Sequence, residues 1–512
     1  MAIRRFAAAV ISAVLAASVL AACSGGGSVT PSSSTATHPA VTLPDTPAGA
    51  QARWLIAAMT HLPIGAAALR AHFDAGFLVP VSPASINRML RGIGGVTLAS
   101  SRVSQPGASC AEAVVTPPVA TQVAVPGPPQ PAASPQSAPP PQPAPPPRPA
   151  PPPRPAPKVP AGRCLGATVS AARGPLQLTL VVDHAGLING LRFGPVIPPA
   201  PTTWAGVDAA VRSVAPRVRM LVARVTGRSC QPVHGIDPGT AAPLASASRL
   251  YLLDALATSI ASGKVSWSQP LTITAQLKSL GSGDLQDEPD GTKVSVLDAA
   301  AKMISIGDNT AADLLINLVG QRAVEAALST TGMADPSRDI PFLTTRQLVA
   351  LKLDQWPALA QRYIAASRAG RRALLASVVD RAPQPSATAL AAWRTPRDIN
   401  SIERFGSASD ICRVYASLAA LARRPGLFPV ASVLEANDGG LGLDPAQWGP
   451  TWFLAGSEPG VLASTFMATT RTGHRYVVAV LAENPSAPIS QATAVPVLIS
   501  AIRGAFTLAA HG

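Results

Sequence analysis

The chain has 512 residues, with 41 Lys plus Arg against 27 Asp plus Glu, a formal net charge of +14 at pH 7 and only 4% aromatic residues. That length holds two or three domains with cores of their own. The positive excess does not point to nucleic acid: only six of the 41 basic residues are Lys, the Arg are scattered, and a binding stripe would interleave them with aromatics.

Residues 1–23 supply an address. A short basic head with Arg4 and Arg5 is followed by an apolar segment, 6–20, too short to span a membrane and remain there. Leu20-Ala21-Ala22-Cys23 then resembles the lipobox at which bacterial lipoproteins are cut and acylated on Cys, so residues 1–23 read as a lipoprotein signal peptide and Cys23 as the lipidation site. The expected location is extracytoplasmic, lipid-anchored to the cell membrane, and the Gly-, Ser- and Thr-rich stretch 24–45 reads as a flexible tether. In that oxidising compartment Cys110, Cys164, Cys230 and Cys412 are disulfide candidates with three possible pairings. A bridge between Cys110 and Cys164 would close the base of the most biased segment, leaving Cys230 and Cys412 as the second pair. The seven His are dispersed and no Cys-x-x-Cys occurs, so neither a metal nor any other cofactor is expected.

Residues 46–115 and 160–195 read as one small α+β unit. Three helical patterns lie near 54–59, 66–73 and 83–89, and strand-like runs follow at 96–100, 111–115, 165–171, 176–182 and 187–193. Between them, 116–159 is Pro-rich, with two copies of Pro-Ala-Pro-Pro-Pro-Arg ending at Arg148 and Arg154, and no acidic residue lies between Glu112 and Asp183. Such a segment cannot bury a core and is expected to be an extended, disordered insertion, a spacer or the docking site of a proline-binding partner. Helices followed by a strand meander resemble the cystatin-like or steroid-isomerase-like domain found ahead of some actinobacterial β-lactamase-like proteins.

A Pro-rich linker, 195–203, leads to the second large region, 204–512, with a helix at 204–214 and a buried strand at 217–228. Its centre is a run from Ser246 to Ile260 that is apolar nearly all round and ends before Gly263, the pattern of a helix buried in a domain. A Ser on its first turn has backbone N–H groups and the positive end of the helix dipole beside it, where an oxyanion can be stabilised without rearrangement. Residue i+3, Arg249, shares that face.

Ser246-Ala-Ser-Arg249 resembles, with Arg for Lys, the Ser-x-x-Lys motif of serine β-lactamases and penicillin-binding proteins. With Ile306-Gly-Asp-Asn309-Thr-Ala-Ala-Asp313, Pro341-Phe-Leu-Thr-Thr345-Arg and Trp452-Phe-Leu-Ala-Gly456-Ser-Glu-Pro-Gly460, it makes 204–512 resemble a class A β-lactamase-like family of extracytoplasmic actinobacterial lipoproteins. The resemblance implies an α+β or α/β multi-domain chain whose C-terminal β-lactamase/transpeptidase-like domain is an antiparallel sheet flanked by helices. It implies Ser246 as nucleophile, Arg249 at the Lys position, Gly307 at the Ser position of Ser-Asp-Asn, and the Ser457 N–H as an oxyanion donor. Asp308, Asn309, Leu454 (a Lys position) and Gly456 fall at substrate-binding positions.

Three proton-handling or charge-bearing groups of that family are absent. Arg249 cannot be deprotonated near neutrality, Gly307 has no hydroxyl and Leu454 carries no charge. The six lysines, at 158, 264, 278, 293, 302 and 352, all lack a Ser three residues earlier, and 333–341 contains Asp335 and Asp339 but no Glu to activate a deacylating water. Two functions are consistent with this: a weak serine hydrolase acylated on Ser246 by a β-lactam or ester, or a catalytically inactive envelope module that binds a peptidoglycan-related ligand or a protein.

Overall fold

The computed structural model describes residues 42–78, 81–102, 163–171 and 174–511. The signal peptide, Cys23, Cys110, the 111–115 run and the 116–159 insertion lie outside the described residues. Two compact units are present, Met1–Val196 and Ile197–Gly512.

The first unit opens with helices α1 (Pro47–Ala58), α2 (Ala66–His72), α3 (Ala75–Leu78) and α4 (Pro83–Ile93). Thr46 caps α1 by accepting from Gly49 N at 3.1 Å, and Pro47 occupies the first turn, where its missing N–H costs nothing. Four strands follow, β1 (Val96–Arg102), β2 (Cys164–Ala171), β3 (Gly174–Val182) and β4 (Ile188–Pro195), paired in that order as an antiparallel meander. At the β3–β4 turn Asp183 Oδ1 accepts from Ala185 N and Leu187 N, and Gly186 supplies the positive φ. Leu55, Leu69, Phe73 and Leu90 pack onto Leu165, Val169, Leu178 and Leu180 as one core, which Leu43, at the end of the expected tether, also joins. Cys164 is disulfide-bonded.

The second unit contains α5 (Trp204–Arg212), β5 (Arg217–Thr226), β6 (Ser229–Ile236), β7 (Ala242–Pro243), a 3-10 turn at Ala245–Ser248 and α6 (Arg249–Ala261). A short hairpin, β8 (Pro270–Thr272) and β9 (Lys293–Ser295), precedes α7 (Val296–Ser305), α8 (Asn309–Val319) and α9 (Gln321–Thr330). Then come α10 (Thr345–Leu353), α11 (Ala358–Ala365), α12 (Arg368–Leu374), α13 (Ala387–Ala392), β10 (Phe405–Gly406), α14 (Ala408–Leu421) and α15 (Pro429–Leu434). The chain returns through β11 (Trp448–Glu458), β12 (Val461–Thr470) and β13 (Arg475–Glu483) to α16 (Gln491–His511).

Five strands form an antiparallel sheet in the order β11-β12-β13-β5-β6, covered by helices on both faces. The period-2 alternation of β5 shows why: Leu221, Ala223 and Val225 enter the cluster containing α6, while Met220 and Val222 enter the cluster containing α5 and α16. Residues 249–257 of α6 are all buried, as an all-apolar helix between layers must be. Helix α16 is long and apolar enough to cross a membrane, but Leu498, Ile502 and Phe506 bury it against the sheet.

The end of the Pro-rich stretch 195–203 packs on the second unit: Ser500 Oγ donates to Pro199 O at 2.8 Å, and Pro201 O sits so close to Gly504 that a Cβ there would not fit. Pro cannot donate to a ladder, but its carbonyl remains an acceptor, and α16 uses it.

Cys230 on β6 and Cys412 on α14 form a disulfide with Cα atoms 6.2 Å apart. The bridge spans 182 residues of sequence, and closing so long a loop removes about 5 kcal/mol of unfolded-state entropy in the chain-entropy account.

Candidate active site

The chain reaches Ser246 through a strained turn. Ala245 has φ +45°, a left-handed conformation that costs a non-Gly residue on the order of 1–2 kcal/mol. It persists because its surroundings determine it: Leu244 N donates to Arg404 O at 2.8 Å, and Ala245 N donates to Glu403 Oε2 at 3.0 Å. The short β7–β10 pair continues this contact along 403–406. Ser246 therefore sits in a 3-10 turn ahead of α6 rather than capping it, since the helix begins at Arg249 and its N-cap, Ser248, makes no side-chain cap bond. Ser246 is half-buried and its hydroxyl makes no hydrogen bond among the described residues, whereas Ser248 Oγ is tied back to Ala245 O at 2.7 Å.

Strand β11 is an edge of the sheet, and its Gly456 lies against this turn. A Cβ at Gly456 would stand 2.6 Å from Ser246 N and 2.7 Å from Ala247 N. Only Gly allows the strand that carries Ser457 to approach the Ser246 amide this closely. Ser246 and Ser457, the two positions expected to supply oxyanion N–H groups, are thus brought to neighbouring backbones. Ser457 Oγ accepts from Gln491 Nε2 at 3.0 Å.

Arg249 is 3% exposed. Its Nη2 donates to Asn309 Oδ1 and its Nη1 reaches Met303 O at 3.5 Å, while Nε is buried without a partner. Burial, reinforced by Arg404 and opposed by Asp313 and Asp308, lowers its pKa to about 10, so it stays protonated at neutral pH and cannot accept the Ser246 proton. Gly307 has φ +68°, and a side chain there would point toward Ser282 Oγ and Arg249 Nη1.

Asp308 and Asn309 are committed to the protein. Asp308 is fully buried at the start of α8: Oδ1 accepts from Ala311 N at 2.8 Å, and Oδ2 accepts from Asp284 N and Leu285 N at 2.9 and 3.0 Å. It braces a loop and touches no open space. Asn309 Nδ2 donates to Leu280 O at 2.7 Å and its Oδ1 accepts from Arg249, so each end of the amide expected to bind substrate already has a partner within the protein. Leu454 lies on the same strand as Gly456 and Ser457. It is 3% exposed and packs in the central cluster with Trp452, Ala463 and Met467, because β11 turns its alternate side chains toward the helices that cover the sheet. Asp313 accepts from Thr345 N and Arg346 N, and burial raises its pKa against those bonds. Asp339 is also structural: it is 4% exposed, Oδ1 accepts from Phe405 N, and burial pushes its pKa well above the carboxylate range.

Residue spacing gave no sign of a buried cluster beside the turn. Lys352 on α10 is fully buried, with Nζ 3.6 Å from Glu403 Oε1 and bonded to Glu458 Oε1, and these carboxylates are 1% and 6% exposed. Burial raises Glu458 to about 8, with Glu403 adding to the shift and Lys352 opposing it. No group of His, Cys, Asp or Glu suited to a metal occurs among the described residues. A cleft of about 520 Å³ lies elsewhere, beside the disulfide and lined in part by Arg228, Cys230, Thr331 and Arg413, and includes none of the site positions above.

The model of the β-lactamase enzyme family matches residues 218–371, which include Ser246, Arg249 and 307–313 but end before β11. A model described as the ORF 12 gene product N-terminal matches residues 43–123. No curated protein matches. Among solved structures, a β-lactamase from Sphaerobacter thermophilus DSM 20745 is 21% identical over 60% of this chain and 99% of its own, with a TM-score of 0.43. A mutant of PBP-A, described as an acyl-enzyme complex with penicillin G, is 15% identical over 61% and 100%, with a TM-score of 0.40. A β-lactamase from Chitinophaga pinensis DSM 2588 is 15% identical over 60% and 98%, with a TM-score of 0.41.

Proposed function

With a β-lactamase-like C-terminal unit as premise, we propose that the protein is a cell-envelope lipoprotein whose Ser246 is slowly acylated by a β-lactam or an activated ester. The observation that carries this reading is the Ser246 turn itself: an unbonded hydroxyl on a strained segment, its backbone N–H beside the strand that bears Ser457. In the acylation step Ser246 Oγ bonds to the substrate carbonyl carbon, the carbonyl oxygen becomes the oxyanion facing the two N–H groups, and the C–N or C–O bond to the leaving group breaks. The hydroxyl proton passes to the leaving group through solvent, since Arg249 stays charged and Gly307 offers no relay. Each missing proton-transfer group costs roughly 10²- to 10⁴-fold, so turnover is slow.

A second reading, a binding module for a peptidoglycan-related ligand or a protein, is favoured by the engaged Asn309 amide and by Leu454 facing the core. Incubation of the folded protein with a fluorescent penicillin, followed by intact mass, separates the two. We expect a slowly formed adduct of one equivalent that disappears in Ser246→Ala. No adduct after prolonged incubation, or one that survives Ser246→Ala, removes the hydrolase reading.

Anchoring through Cys23 and a recognition or scaffold role for the cystatin-like N-terminal unit complete the proposal, on the strength of Leu20-Ala21-Ala22-Cys23 and the helix-then-meander order. Cys23→Ala is expected to move the protein from the membrane fraction to the soluble fraction. An unchanged partition overturns the lipid anchor.

A further inference from the structure

The two N–H groups assigned to the oxyanion belong to segments far apart in sequence, and a buried cation, Lys352, lies between a carboxylate from each of them. Glu403 Oε2 accepts from Ala245 N at 3.0 Å, immediately before Ser246, and from Arg404 N at 2.9 Å. Glu458 immediately follows Ser457. Lys352, with no exposed surface, bonds Glu458 and lies 3.6 Å from Glu403 Oε1, which has no hydrogen-bond partner of its own. The Lys352 backbone is fixed in turn, because Arg397 Nη1 donates to its carbonyl at 2.8 Å, and Trp393 lies 5.6 Å from its ammonium. Ala245, Ile399 and Val461 close the gap as a small apolar cluster.

We infer that Glu403, Lys352 and Glu458 are positioning residues that set the spacing and the local charge of the Ser246 and Ser457 N–H pair. This rests on Ser246 being the acylated residue. Three ionisable groups buried without solvent are an expensive way to join α10 to β11, since apolar residues of similar volume are often as stabilising. What apolar residues could not do is hold the Ala245 N–H in its left-handed conformation, or place a neutral acid next to the oxyanion donors.

The charges facing Glu458 are Lys352 and Glu403, and Asp339 in turn interacts with Glu403, Arg404 and Arg338. Near neutrality Glu458 is neutral. Above about pH 8 Glu458 ionises, and a further negative charge then appears beside the donors that must stabilise an oxyanion.

The test uses the full-length folded protein and a fluorophosphonate. Ser246 Oγ forms the bond to phosphorus, the P–F bond breaks, fluoride leaves, and the hydroxyl proton goes to water. The labelling rate of Glu458→Gln divided by that of the wild-type protein is expected to rise about tenfold between pH 6.5 and pH 9, the order a unit charge exerts in a partly buried site. A merely structural role leaves that ratio flat, which would overturn the inference. Glu403→Ala, if folded, is expected to label about a hundredfold more slowly at every pH, the order seen when an oxyanion donor is lost. Wild-type labelling in that variant also counts against the proposal. Hydrogen exchange of the Ala245 amide gives a readout independent of acylation. Should the wild-type protein not label at all, the Ser246 reading fails, while faster exchange at Ala245 in Glu403→Ala sustains the positioning role and unchanged exchange removes it.

Discussion

Gly456→Ala is expected to abolish acylation of Ser246 and to destabilise the C-terminal unit by about 3 kcal/mol, the upper part of the usual range for overpacking. The added methyl would lie 2.6 Å from Ser246 N and 2.7 Å from Ala247 N, nearer still to Leu244 O, and all three are backbone atoms with no rotamer to change. Either β11 leaves the turn, which takes the Ser457 N–H with it, or the turn leaves its bond to Glu403. Both outcomes separate the two donors. Gly449→Ala, on the same strand, is the control, because its methyl would meet only Thr469 O at 3.4 Å. Denaturant unfolding and intact-mass labelling of the two variants measure the contrast. If Gly456→Ala is as stable and as reactive as Gly449→Ala, the strand does not approach Ser246 as described.

Lys352→Met is the second large effect. The side chains are similar in volume, so packing is largely kept, but Glu403 and Glu458 are left facing each other in a site with almost no solvent. Removing one partner of a buried ion cluster costs about 3–5 kcal/mol, because a carboxylate without a counter-ion must either remain charged or take up a proton. In the wild-type protein Glu458 already has a folded-state pKa of about 8 against an ordinary value of 4.5. A carboxyl raised in this way binds its proton more tightly when folded, so the stability it contributes is present in full below about pH 4.5 and is lost as pH rises toward 8. Burial raises Asp254 to about 6 and moves Asp313 and Asp339 in the same direction. In Lys352→Met the loss of the ammonium favours the protonated form of the two facing carboxyls, and the deficit relative to wild type is expected to shrink as pH falls from 8 to 5. Chemical unfolding at several pH values tests this. A deficit that is small at pH 8, or that grows on acidification, would show that Lys352 is not the counter-ion of these two groups.

The same comparison separates what local spacing encodes from what it does not. The apolar run that follows Ser246 was legible as a buried helix, although α6 begins only at Arg249 and Ser246 lies in the 3-10 turn before it. The alternation of β5, the Asp and Gly at the β3–β4 turn, and the Thr residues that cap α1 and α5 are local in the same sense: each depends on neighbours within a few residues. The loss of the Lys, Ser and Lys positions was equally plain, since an absent residue type needs no structure to be seen.

Long-range polar pairing was not legible. From sequence, Lys352, Glu403 and Glu458 are three isolated charges of the kind usually left in solvent, separated by about fifty residues each, and no period links them. Asn309 looked available to a substrate because its neighbours in sequence say nothing of Arg249 and Leu280, which engage both ends of its amide. Leu454 looked like the wall of a cleft, yet its place in the pleat directs it into the core. Of the three cysteine pairings that the sequence allowed, the bridge between Cys230 and Cys412 follows from β6 lying against α14. By itself, then, the sequence determined which faces are apolar, where the turns fall and which catalytic groups are missing, because those properties have short periods. The tertiary structure decided which polar groups are buried together and which are already occupied, because pairing across long loops depends on how layers pack, and packing is a property of the assembled fold.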